Sequence, residues 1–99
     1  MAQIAVIAPT EAAVTNYPQV NAQAYSEVVF TTDAMNASNE CDIYKAVGGG
    51  WEVASDATGT AYKLTATIQM LRLVGGCIYA VNKDATAGSA AGVWADLVP

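Results

Sequence analysis

The chain has 99 residues, 54% of them apolar and 13% charged, with a net charge of −5 and no histidine. That length fits one domain built on one core. The four basic residues, Lys45, Lys63, Arg72 and Lys83, are too scattered for a phosphate-binding face, which excludes nucleic acid as a partner.

The charged fraction is well below the roughly 25% usual for globular proteins. Either small neutral residues cover the surface, or neutral apolar surface meets another protein. No apolar run approaches the roughly 20 residues of a membrane span, so no membrane is expected as a partner. Pro9 breaks the opening Met1 to Ala8 stretch before it can serve as a secretory signal, and the protein is expected to remain in the compartment where it is made.

Residues 1–25 are rich in Ala, Gln, Asn and Val, carry Glu11 as their one charge, and are interrupted by Pro9 and Pro18. Gln3 to Ala8 has the composition of a short strand, and Thr10 could cap a helical turn. Pro18 forbids a long helix and biases Tyr17 to extended backbone. The segment is expected to be an extended arm that lies along its own domain or reaches over a neighbour. Ile4, Val6, Ile7 and Tyr17 are its candidate partner-binding residues.

Residues 26–99 are expected to form the folded domain. Glu27 to Thr32 has high β propensity and leads into a polar loop over residues 33–39. Cys41 to Val47 alternates in polarity, Gly48-Gly49-Gly50 turns the chain, and Trp51 to Ala54 returns as a hairpin with Trp51 as its apolar anchor. Ser55 to Thr60 is a cluster of turn residues. Ala61 to Val74 is the longest strand candidate, but its apolar alternation changes phase near Met70 to Arg72, the mark of a β-bulge or of a strand that switches sheets. Gly75-Gly76 then reads as the turn of a second hairpin leading into Cys77 to Asn82. Residues 83–90 form a loop, and Gly92 to Val98 closes the chain as a strand.

Short strands at about ten-residue spacing, with Gly-rich turns and no long amphipathic helix, predict an all-β fold. It is an antiparallel β-sandwich or small barrel with an extended N-terminal arm. The expected core is Phe30, Ile43, Trp51, Val53, Leu64, Ile68, Leu73, Ile78 and Val81, with one face of the last strand.

Few residues invite chemistry. The absence of histidine removes Ser-His-Asp and Cys-His mechanisms together with the commonest zinc ligand. Cys41 and Cys77 lack the C-x-x-C spacing of a redox or zinc motif and are expected to be free thiols buried in strands. The nine carboxylates read as solvated charge, and Arg72 as a rim contact or a partner for a carboxylate such as Asp96. Asp33, Asn36, Asn39, Glu40 and Asp42 are oxygen ligands, but without the spacing of an EF-hand loop. Gly48-Gly49-Gly50 lacks the Lys-Ser/Thr of a phosphate loop. Trp94, between Val93 and Ala95, is as suited to a contact surface as to the core. The protein is therefore expected not to be an enzyme and to need no cofactor or metal.

The order Ile43-Tyr44-Lys45, a Gly turn with Trp51, Leu71-Arg72-Leu73-Val74-Gly75-Gly76, Ile78-Tyr79-Ala80-Val81 and a closing Gly92-Val93-Trp94 resembles small β-sandwich proteins that decorate the heads of tailed bacteriophages. The likeness spans residues 41–98. It implies a capsid decoration, or cement, protein: a virion structural protein made in the host cytoplasm, binding the major capsid protein across subunits, commonly as a homo-oligomer with a trimer favoured. The alternative is a carbohydrate- or receptor-binding module of a phage tail or surface assembly, with Trp94 or Tyr62 as its platform.

Overall fold

In the computed structural model the described residues are 2–8, 14–33, 40–83 and 92–99. The strands are β1 (Ala2–Ile7), β2 (Gln19–Asn21), β3 (Glu27–Thr32), β4 (Cys41–Val47), β5 (Gly50–Val53), β6 (Lys63–Leu64), β7 (Met70–Val74), β8 (Ile78–Lys83) and β9 (Val93–Val98). They form two antiparallel sheets, one ordered β1-β9-β3-β7 and the other β2-β8-β4-β5, with β6 also pairing with β4. The all-β sandwich is thus as expected. The predicted helical turn at Thr10, most of the polar loop at 34–39 and the loop at 84–90 lie outside the described residues.

The core forms where the inward rows of the two sheets meet. Val28, Phe30, Leu73, Val93, Ala95 and Leu97 come from the first sheet, and Val20, Cys41, Ile43, Leu64, Tyr79 and Val81 from the second; all are buried. Phe30 and Tyr79 meet edge to face across the interior, with ring centroids 5.9 Å apart and planes at 89°. The Tyr79 hydroxyl donates to the Val74 carbonyl at 2.6 Å, the partner such a group needs when its ring is buried. Burial, followed by the neighbouring Cys77, pushes the Tyr79 phenol well above its ordinary range.

The chain N-terminal to residue 26 is woven into both sheets where it is described. β1 pairs with β9, and β2 pairs with β8. Residues 2–7 and 19–21 are thus strands of the sandwich, and an extended arm distinct from the domain is not shown.

The largest correction concerns Gly75-Gly76. β7 pairs with β3 in one sheet and β8 pairs with β4 in the other, so the glycines link two layers and no hairpin joins their flanking strands. The crossing is fastened to the turn over residues 22–26: Gly75 N–H donates to Ser26 O, Gly76 N–H to Ala22 O, and Ala22 N–H to Cys77 O. A side chain at Gly75 would meet the Tyr25 carbonyl oxygen at 2.0 Å. Gly75 therefore allows a close backbone approach, and only Gly76 takes a positive φ, of 84°.

The phase change after Ala61 has a similar origin. The segment is two strands, with β6 on the second sheet and β7 on the first, joined by a turn in which Thr65 Oγ1 accepts from the amides of Thr67 and Ile68. The strand switches sheets, and Ile68, expected in the core, sits on that turn, exposed.

The Gly48 hairpin forms as expected, with a tighter turn. Val47 pairs with Gly50, so Gly48 and Gly49 alone make the turn, both at positive φ, the conformation of a two-residue type I′ hairpin. This register places Trp51 opposite Ala46 and Val53 opposite Tyr44. Both therefore lie on the outward face, Trp51 half-buried and Val53 exposed. Neither belongs to the core, and Ile78 is only half-buried as well.

The turn cluster at 55–60 is organised by Asp56, whose carboxylate accepts from the Thr58 and Thr60 amides and the Thr58 hydroxyl. These bonds, the Thr58 hydroxyl first, hold the carboxyl below its ordinary value of 3.8. A lowered folded pKa means that the contribution is present above the unfolded value and is lost as pH falls through the folded one. Urea titrations should show stability declining below about pH 4, with a component missing in Asp56→Asn. Parallel pH profiles for the two proteins would contradict this.

Candidate functional site

Two surfaces stand out, one on the face of the second sheet and one at the edge of the first. On the second sheet, Val14 pairs with Lys83, and Val81 N–H donates to Pro18 O. Thr15, Asn16 and Tyr17 therefore stand opposite the single residue Asn82. The surplus residues loop outward, and Tyr17 takes a φ of 54°, a left-handed conformation that costs a non-glycine residue about 1–2 kcal/mol. Pro18 biased Tyr17 to extended backbone; the bulge overrides that bias, and Tyr17 N–H donates to Asn82 Oδ1 at 2.9 Å.

The Tyr17 ring comes to rest on the outward face of β4 and β5. It lies parallel to Trp51 within 4° at a centroid distance of 6.0 Å and meets Tyr44 edge on at 5.2 Å. Tyr17 keeps 37% of its surface exposed. Beside this cluster Lys63 bonds Glu40 at 2.9 Å and lies 3.8 Å from Asp42. Burial first, then the Asp42 charge, raises the Tyr44 phenol above its ordinary value of 10.0.

The second surface is the edge of the first sheet. Gly75 N–H reaches Ser26 O, and Thr32 N–H reaches Gln69 O. By antiparallel alternation the backbone groups of Leu71 and Leu73 face β3, and those of Met70, Arg72 and Val74 face away from it, the Val74 carbonyl being taken by the Tyr79 hydroxyl. Among the described residues no strand pairs with that edge. Met70 and Val74 are 60% and 74% exposed, and between them Arg72 pairs with Glu27 on the outer face. Asp96, the partner anticipated for Arg72, lies across the intervening Val29. Where this edge approaches β5, a cavity of about 200 Å³ opens between the sheets, lined by Tyr62, Leu73, Val74, Tyr79 and Ala54, with Lys45 and Glu52 among its polar lining residues.

The anticipated partner-binding residues are not gathered at one place. Ile4 is exposed and Val6 half-buried on the edge strand β1, and Tyr17 belongs to the aromatic cluster of the other sheet. Ile7 is a correction: a register shift between Ala5 and Ile7 turns its side chain inward opposite Val93, where it is 2% exposed. Trp94 is half-buried on the outer face of the first sheet, with its ring over Gly92. Tyr62 is half-buried in the cavity wall.

The described members of the oxygen-rich run have partners within the fold, two of them sharing one lysine. Asp33 accepts the Gly92 amide at 2.8 Å, and Glu40 and Asp42 face Lys63; Asn36 and Asn39 lie outside the described residues. Cys41, buried, and Cys77, half-buried just ahead of β8, are not joined in a disulfide. Among the described residues no helix is long and apolar enough to cross a membrane.

No family model, no curated protein and no solved structure matches the chain.

Proposed function

We propose that this protein is a non-enzymatic virion structural protein that decorates a phage capsid and stabilises it by binding across neighbouring subunits of the major capsid protein. The observation that carries this reading is the β7 edge. Its outward backbone groups lie beside Met70 and Val74, large apolar side chains that are mostly exposed, in a chain with an unusually small share of charge. Apolar surface at an open strand edge is what natural proteins cover or blunt unless a partner uses it. A homo-oligomer, with a trimer favoured, would present several such edges at once. A ligand that binds only the assembled shell shifts the equilibrium toward that shell.

The test is co-sedimentation with undecorated shells of the cognate capsid. Wild-type protein is expected to pellet with the shells and to saturate. A Met70→Lys, Val74→Lys double variant should bind about tenfold or more weakly while melting within a few degrees of wild type, because exposed sites carry little folding energy. Undiminished binding by the double variant would remove the β7 edge from the interface. No binding by either protein would remove the capsid reading.

A further inference from the structure

The Tyr17, Tyr44 and Trp51 cluster plays no part in the edge contact proposed above and rests on separate observations. The parallel rings of Tyr17 and Trp51 have centroids 6.0 Å apart, wider than the about 3.5–4.0 Å of full face-to-face contact, so they do not close over one another. Tyr17 keeps 37% of its surface exposed and Trp51 is half-buried. Tyr17 is held in place by backbone that is unfavourable for tyrosine, and strain of this kind clusters where a fold positions a ligand-binding group. A surface aromatic needed only to cover the sheet could sit on ordinary backbone.

The chemistry at the border of the rings narrows the ligand. Asp42 shares the outward face of β4 with Tyr44 and pairs in register with Lys63. That sets a carboxylate and an ammonium beside the aromatic planes, with the Lys63 side chain 43% exposed. Flat aromatic surface next to side chains that both accept and donate hydrogen bonds matches a pyranose ring, which has an apolar C–H face and an equatorial rim of hydroxyls. A purely apolar peptide would leave that charged rim desolvated and poorly paired.

We propose that Tyr17, Tyr44 and Trp51 form a stacking platform for a pyranose-containing glycan, with Asp42 and Lys63 bonding its hydroxyls. Single-platform sugar sites are weak, so binding in the millimolar range is expected.

The test is a titration of the full chain followed by tryptophan fluorescence and by the indole N–H resonances of Trp51 and Trp94. The probes are hexasaccharides of β-1,4-linked glucose, α-1,4-linked glucose and β-1,4-linked N-acetylglucosamine. At least one should shift the Trp51 indole saturably and leave Trp94 unmoved. Tyr17→Gly keeps the positive φ and removes the ring, so the relieved backbone strain offsets the lost ring contacts; it should still fold, melting within a few degrees of wild type, and yet lose about tenfold in affinity. Asp42→Asn should weaken binding without altering the Trp51 signal of the free protein. The proposal is overturned if none of the three probes shifts Trp51 at about 20 mM, a concentration well above the expected dissociation constants. It is also overturned if Tyr17→Gly binds like wild type, or if Tyr17→Gly loses shell binding while every sugar is ignored, which would make the cluster a protein contact.

Discussion

Gly75→Ala is expected to destabilise the fold by about 3 kcal/mol or more, against about 1–2 kcal/mol for Gly76→Ala. The two glycines are adjacent and limited by different physics. At Gly76 the φ of 84° penalises any side chain, but nothing lies within 4 Å of the position a Cβ would take. At Gly75 the new methyl group meets the Tyr25 carbonyl oxygen at 2.0 Å and the Tyr25 and Ser26 carbonyl carbons within 2.8 Å. These are backbone atoms, so no rotamer change relieves the overlap. The 22–26 turn has to move away, which strains the Gly75 bond to Ser26 O and the Gly76 bond to Ala22 O. Urea denaturation of both variants is the measurement. In a tight Gly-Gly hairpin both residues would take positive φ and the two substitutions would cost about the same; equal losses would restore the hairpin and contradict the crossover.

Phe30→Ala is the second large effect, an expected loss of about 3–5 kcal/mol. Phe30 is fully buried between Ala95 and Leu71 on the neighbouring strands and meets Tyr79 across the sheets. Truncation removes both the ring burial and the edge-to-face contact, and the flanking strands are too firmly paired to close the space. Trp51→Ala serves as the comparison. The larger side chain is removed, but from a half-buried position on the outer face, where about 1 kcal/mol of stacking is at stake. If Trp51→Ala proves as damaging as Phe30→Ala, Trp51 belongs to the core after all.

That pair of variants also shows what the residue pattern could and could not convey. Alternation identified β4 with its inward Cys41 and Ile43, whereas β3, β8 and β9 were legible as strands without their full inward rows. The middle residues of β3 and β8 are buried on both faces, and Ile78, expected in the core beside Val81, is half-buried while Tyr79 takes the inward place. Alternation misplaced Trp51 for want of a turn length. With three glycines in the turn, the side of the sheet is undetermined; with two, Trp51 must face the same way as Ala46 and Tyr44. The information lay in Gly50, whose φ, unlike those of Gly48 and Gly49, is not positive.

Gly75-Gly76 misled for a different reason. A glycine pair between apolar runs satisfies the local requirements of a hairpin, but local requirements do not exclude a crossing when both strands have longer partners elsewhere. β7 runs beside β3 over five residue pairs, and β8 beside β4 over five. The phase change at Met70 was legible as a choice between a bulge and a switch of sheets. Pairing decided it, since β6 extends beside β4 while β7 extends beside β3.

The candidate surfaces were partly visible. Tyr17 was singled out as part of an arm, yet its contacts depend on three residues bulging opposite Asn82, and pairing between residues 65 positions apart in the chain leaves no local signal. Ile7 was singled out for the same arm, and the register shift beside it turned it into core. Met70 and Val74 looked like ordinary strand residues. Their exposure follows from β7 standing at the end of its sheet, a property of strand order.

The reading of the protein as a capsid-stabilising binder is tested most directly by the melting temperature of undecorated cognate shells with and without the purified protein. The predicted result is a rise in shell melting temperature that saturates at a fixed ratio of protein to capsid subunits and shrinks with the Met70→Lys, Val74→Lys variant. An unchanged melting temperature at saturating protein, with no protein retained on the shells, would contradict it.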